Sequence, residues 1–310
     1  MKIAVPDMVS NSYFPAEAAV ELGFFKAEGL DVVLELIYPV DKCYTALRDG
    51  AVDFVGGSAH SVLAAFPKFE GAKLICAQAQ GMYWFLVMHK DIGAKRGDVS
   101  CVKGKRIGAA PWVDFGLRQL LIEAGIDLKR DDVTIAPVPG AAPVPGTIVN
   151  FGVTAAKALE DRKIDGFWAN GMGTEVAVRR GVGTVVLDVR RGDGPKACFN
   201  FTAATIAASD ALIARAPDQV AAAVRAIVKT QKALKANVAR ATEVGKKLFP
   251  PAEADLIAEL IRRDLPYYDA TISRDFVAGM TEFSRREGIL EGELPYEAVV
   301  ATQFAPLWKG

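Results

Sequence analysis

The chain of 310 residues exceeds the usual size of a single hydrophobic core, so two lobes of roughly 100–200 residues each are expected, with a crevice between them. Its 37 Lys and Arg balance 37 Asp and Glu, which leaves no basic field for nucleic acid or anionic lipid, and no apolar window reaches the ~18 residues of a membrane-spanning helix. Cys43, Cys76, Cys101 and Cys198 lie far apart without C-x-x-C spacing, and His60 and His89 are the only histidines, so neither a zinc centre, a redox pair nor any cofactor is expected.

Residues 1–60 alternate strand and helix signals. Ile3–Val5 reads as a strand, Asp7–Tyr13 as a polar loop, Pro15 to Phe25 as a helix with proline well placed at its start, and Asp31–Ile37 as a second strand. A helix over Asp41–Arg48 ends at Gly50, and Val52–Val55 reads as a buried strand opening onto Gly56-Gly57-Ser58. Repeated β–α–β order predicts a mostly parallel sheet. Trp84–His89 is an extended run leaving the first lobe, and Asn200–Ala207 is the matching return; together they predict a hinge of two extended crossings. Lys103–Gly125 reads as strand, loop and amphipathic helix, with Leu117, Leu120, Leu121 and Ala124 at helical spacing and Gly125 as the stop. Ala136–Gly146 repeats A-P-V-P-G almost in tandem, and its prolines predict a stiff surface loop. After Asp210 only helices are expected, over Pro217–Asn237, Ala239–Leu248, Ala252–Arg263 and Ser273–Glu287.

The order of the first sixty residues recurs. Ile3–Val5 matches Arg106–Gly108, and helices ending at Gly23 and Gly125 correspond. Ala46–Phe54 (ALRDGAVDF) matches Ala158–Gly166 (ALEDRKIDG), each followed at equal offset by a polar residue, Ser58 and Asn170. Two lobes built to one plan are therefore expected: 1–86 with 204–310, and 87–203.

Ala19–Val32 (AVELGFFKAEGLDV), Ala46–Phe54 and Lys103–Gly108 (KGKRIG) resemble, in order, three blocks of the NMT1/THI5-like solute-binding proteins of ABC importers for sulfonates, nitrate and thiamine-pyrimidine precursors. The resemblance covers residues 1–210 well and the helical tail in general character. It implies an α/β type II periplasmic-binding-protein fold, two α/β lobes joined by two crossover segments, with C-terminal helices packed on lobe one. It further implies a monomer that is not an enzyme and that delivers a small-molecule solute to a membrane permease. No basic and apolar leader precedes the strand at Lys2, so either the protein is cytosolic or a leader has been removed; the resemblance favours the periplasm. The similar fungal pyrimidine synthase carries a C-C-C-F-C segment, whereas this chain has no adjacent cysteines.

In such folds ligands sit beyond the carboxyl ends of parallel strands. That rule selects Asn11, Ser12, Tyr13 and Phe14 as one wall, Ser58 and His60 as a second, Trp112 and Asp114 as a third, and Trp168 and Asn170 as a fourth. Met82, Trp84, Phe85 and Asn200 form the floor. Asn11, Ser12 and Ser58 read equally well as helix caps. Three of the four tryptophans fall on these loops, and rings on opposed walls would sandwich a planar aromatic or heteroaromatic solute, acidic or not. A simple sulfonate or nitrate remains the alternative, although no Arg or Lys lies on the wall loops; Arg118, Arg190 and Arg191 read as solvated surface charges.

Overall fold

A computed structural model of the protein describes residues 1–141 and 150–309; the second A-P-V-P-G copy lies outside the described residues. The chain divides into two compact units, Met1–Gly81 with Asn200–Gly310, and Met82–Phe199.

The first unit opens with β1 (Lys2–Val5), α1 (Phe14–Glu21), α2 (Phe24–Ala27), β2 (Val33–Leu36), α3 (Val40–Arg48), β3 (Phe54–Ser58) and β4 (Ala72–Ala79). The second holds β5 (Phe85–His89), β6 (Arg106–Ala109), α4 (Asp114–Glu123), β7 (Thr134–Ala136), α5 (Phe151–Glu160), β8 (Gly166–Ala169), α6 (Gly171–Arg179) and β9 (Gly183–Asp188). The chain then returns to the first unit as β10 (Ala204–Ser209), α7 (Asp210–Arg215), α8 (Pro217–Ala236), α9 (Arg240–Leu248), α10 (Pro251–Asp264), α11 (Arg274–Arg286) and α12 (Tyr296–Val299). Local chemistry sets these limits. Pro15 sits in the first turn of α1, and Gly23 at φ +76° lets the chain leave it. Asn150 Oδ1 accepts from Val153 N at the start of α5, and Ser273 Oγ from Phe276 N at the start of α11.

The sheet of the first unit runs β2-β1-β3-β10-β4 and that of the second β7-β6-β8-β5-β9. In each, β10 or β5 lies antiparallel between two strands, and the rest are mutually parallel. The sheets are therefore mixed. The two runs expected to be extended crossings are next-to-edge strands, the chain passing between the units just before each, at Gly81–Met82 and Phe199–Asn200, and all five residues of β5 and the first five of β10 are buried.

The two sheets repeat one plan down to single atoms. Ile3 pairs with Phe54 as Ile107 pairs with Gly166. Asp53 Oδ2 accepts from Lys2 N at 2.8 Å and Asp165 Oδ2 from Arg106 N at 2.8 Å. The backbone N–H of each aspartate donates in return to the carbonyl of the same partner. In the first unit the tail helices cover the sheet. Val220, Ala223, Val224, Ile227 and Leu234 of α8 are buried, and Gln231 Nε2 donates to the carbonyls of Ala77 and Gln78 at the end of β4. Trp308 is tied down as well, its Nε1 donating to Ile75 O at 2.8 Å. Among the described residues no helix is long and apolar enough to cross a membrane.

Candidate functional site

The carboxyl ends of the parallel strands collect the selected residues of each unit. In the first unit, Ser10 Oγ accepts from Ser12 N and turns the chain between β1 and α1. Asn11 Nδ2 donates to the buried Asp264 Oδ2 at 2.6 Å, which fastens this loop to the end of α10. Neither Asn11 nor Ser12 caps α1: its N-cap position is Tyr13, and Ala16 N in the first turn donates to Gln78 Oε1 on β4. Asn11 Oδ1 and Ser12 Oγ are both sealed from solvent and have no hydrogen-bond partner among the described residues. Phe14 is core, fully buried and edge-on to Phe249.

After β3, Ser58 stands at the N-cap of a 3-10 turn, Ala59–Ala64, but its side chain makes no cap bond. Its Oγ shares a hydrogen bond of 2.6 Å with Ser61 Oγ, while Tyr44 donates its hydroxyl to Ser58 O. His60 is fully buried, its Nδ1 at 3.0 Å from Thr202 Oγ1 and its ring edge-on to Phe283, on which Phe201 stacks. Asn200 belongs to this unit and lies against Gly279 of α11.

Met82, Trp84, Phe85, Trp112, Asp114, Trp168 and Asn170 belong to the second unit. The three tryptophans thus all come from one unit and supply no pair of rings from opposed lobes. Trp168 is fully buried at the end of β8 and meets Trp84 edge-on at 6.2 Å. Asn170 Oδ1 accepts from Gly173 N and caps α6. Trp112, between β6 and α4, adopts φ +70°, a left-handed conformation that costs a non-glycine residue about 1–3 kcal/mol. Its ring is edge-on to Phe115 and borders a cavity of about 260 Å³ with Asp114, Arg118, Ile135 and Pro137.

Arg118, whose side chain is 36% exposed, lines that cavity and pairs with Asp114 at 2.9 Å, whereas another arginine departs from its expected place at the surface. Arg190, just past β9, is 4% exposed and lies 5.5 Å over the ring of Tyr83. Sequence reading also missed Gln78 and Thr202. Gln78 alone carried a signal, as the one polar side chain in the apolar run Leu74–Ala79. Cys43, Cys76 and Cys198 are buried, and burial pushes each thiol above its usual range, Cys198 to about 12. Among the described residues no group of three or more His, Cys, Asp or Glu could hold a metal ion.

Two α/β units with like sheets, each with polar or aromatic side chains at the ends of its parallel strands, define a two-unit α/β architecture. The comparisons agree. The riboflavin-binding protein RibY of Chloroflexus aurantiacus is 23% identical over 318 residues, spanning 97% of this chain and 84% of its own. The structure described as the putative sulfonate ABC transporter periplasmic sulfonate-binding protein SsuA from Methylobacillus flagellatus KT superposes with a TM-score of 0.68 at 17% identity, over 100% of this chain and 93% of that one. The desulfurization enzyme DszB shares the fold as well, with a TM-score of 0.63 at 14% identity over 98% and 97% of the two chains. The profile of the family described as NMT1/THI5 like matches residues 11–241. The chain belongs to that family, and its fold is the type II periplasmic-binding-protein fold.

Proposed function

We propose that this chain is the extracytoplasmic solute-binding component of an ABC importer, which closes its two units on a small planar aromatic or heteroaromatic solute and presents it to a membrane permease. Closure follows if the solute touches both units, since it then binds the closed form better than the open one. The observation that carries the reading is the set of side chains at the strand ends. Asn11 Oδ1, Ser12 Oγ and Trp168 Nε1 are buried without hydrogen-bond partners among the described residues, and Trp112 is held in a strained conformation beside a cavity. Buried polar atoms left unmet are costly, and a ligand that meets them recovers that cost. The aromatic preference draws on Trp112 and on the similarity to a riboflavin-binding protein. Periplasmic location draws on the similarity to SsuA. The raised thiols of Cys43, Cys76 and Cys198 are poor nucleophiles at neutral pH, which favours binding over cysteine chemistry on this fold.

Native mass spectrometry of the purified protein weighs any co-purified solute, and calorimetry with riboflavin, benzoate, taurine and nitrate ranks the classes. A planar compound is expected to bind most tightly, and Trp112→Ala to weaken it on the order of 10-fold. Tight binding of taurine or nitrate, with planar compounds inert, would sink the aromatic assignment.

A further inference from the structure

The cavity of about 260 Å³ at the carboxyl ends of β6 and β7 is walled by Pro111, Trp112, Phe115 and Pro137, and its charged lining residues are Asp114 and Arg118. These two stand one turn apart in the first half of α4, so their charges cancel at a fixed spacing. Arg118 Nε donates to Asp114 Oδ2 at 2.9 Å and Nη2 to the carbonyl of Ile135 on β7 at 3.4 Å, which fastens the guanidinium to both elements. Each group keeps an atom to spare. Asp114 Oδ1 and Arg118 Nη1 meet no partner among the described residues, and both side chains are partly exposed. The cavity therefore offers one charged acceptor and one charged donor on a single ion pair, without net charge.

A bare anion gains from Arg118 and is repelled by Asp114, whereas a solute edge that carries a donor beside an acceptor is met by both groups. We infer that the Asp114–Arg118 pair selects an uncharged heteroaromatic solute with a cyclic amide edge, its ring N–H donating to Asp114 Oδ1 and the adjacent C=O accepting from Arg118 Nη1. The inference rests on the solute-binding reading above and narrows its solute from planar compounds at large to lactams and imides. The size of the cavity agrees. About 260 Å³ lies just under the roughly 300–1,000 Å³ of drug-sized pockets, so it takes a single ring or one end of a fused system beside the rings of Trp112 and Phe115. Backbone strain of the kind Trp112 carries at φ +70° concentrates at ligand clamps.

The test is calorimetry with uracil, riboflavin, their ring-nitrogen methyl derivatives 1,3-dimethyluracil and N3-methylriboflavin, and benzoate. Uracil or riboflavin is expected to bind at least about 10-fold more tightly than benzoate, and methylation, which removes the N–H donor and keeps the ring, to weaken the parent by a similar factor. Asp114→Asn separates recognition from folding. It lifts the repulsion of anions, so benzoate should gain several-fold while the lactam loses on the order of 10-fold; a poorly folded variant would lose both. Equal binding of parent and methylated compounds would overturn the inference. So would benzoate binding more tightly than either lactam, or an Asp114→Asn protein of unchanged melting temperature that binds benzoate and lactam equally less well; in each case solute binding itself stands. Binding of taurine or nitrate with both lactams inert sinks the lactam assignment and leaves a solute-binding protein. If none of these compounds binds, both readings fall.

Discussion

Glu17 sits in the first turn of α1 with no exposed surface, and both its carboxylate oxygens lack partners among the described residues. Burial, then the nearby charges of Asp7 and Glu21, raises its pKa well above the usual 4.5. The folded state therefore holds this proton where the unfolded chain has released it. Its contribution to stability is complete below about pH 4.5 and is lost as pH rises toward the raised folded value. Glu17→Gln should raise the melting temperature at pH 8 on the order of a few degrees and change it little at pH 4, which thermal denaturation at the two values would check. His60 makes a different case. With its bond to Thr202 and its edge on Phe283, His60→Ala is expected to cost about 2–4 kcal/mol in urea denaturation. The sequence told which residues lie at strand ends, because that follows from chain order. It did not tell what they touch: the partners of Asn11, His60 and Asn11's neighbour loop, namely Asp264, Thr202 and Gln78, are distant in the chain and meet it only through packing. The burial of Arg190 was hidden for the same reason, since an Arg-Arg pair before glycine reads as a surface turn.

At the scale of elements, α5 and α6 approach so closely that a Cβ on Gly173 would lie 2.4 Å from the carbonyl oxygen of Gly152. Gly173→Ala must push the helices apart, with an expected loss of about 1–3 kcal/mol by urea denaturation. Asp165→Asn weakens the acceptor that holds Arg106 N, and Asp53→Asn does the same for Lys2 N, so each should cost about 0.5–1.5 kcal/mol. Similar losses at the two positions would agree with their equivalent places in the repeat. Helices and parallel strands were legible because their periods and stops are local: α8, α9, α10 and α11 each lie within one residue of their expected limits at both ends. The antiparallel placement of β5 and β10 was not legible, because insertion between two distant strands leaves no local mark beyond a continuous apolar run.

For the whole molecule, the two ends of the second unit meet, Met82 N donating to Phe199 O at 2.9 Å, so this unit is a continuous insertion within the first. The fragment 82–199 should accordingly fold by itself, with dispersed amide NMR signals; a spectrum collapsed to the random-coil range would refute this. The first unit has no such independence. Its strand β4 bonds within the sheet only to β10, which lies about 120 residues later. During synthesis the inserted unit has all five of its strands before β10 has been made, so it closes first while β4 waits without a neighbouring strand. The fourth strand is thus locked after five strands that follow it in the chain, and any delay at the ribosome between residues 199 and 209 prolongs the interval in which the Ala72–Ala79 edge stands open to aggregation.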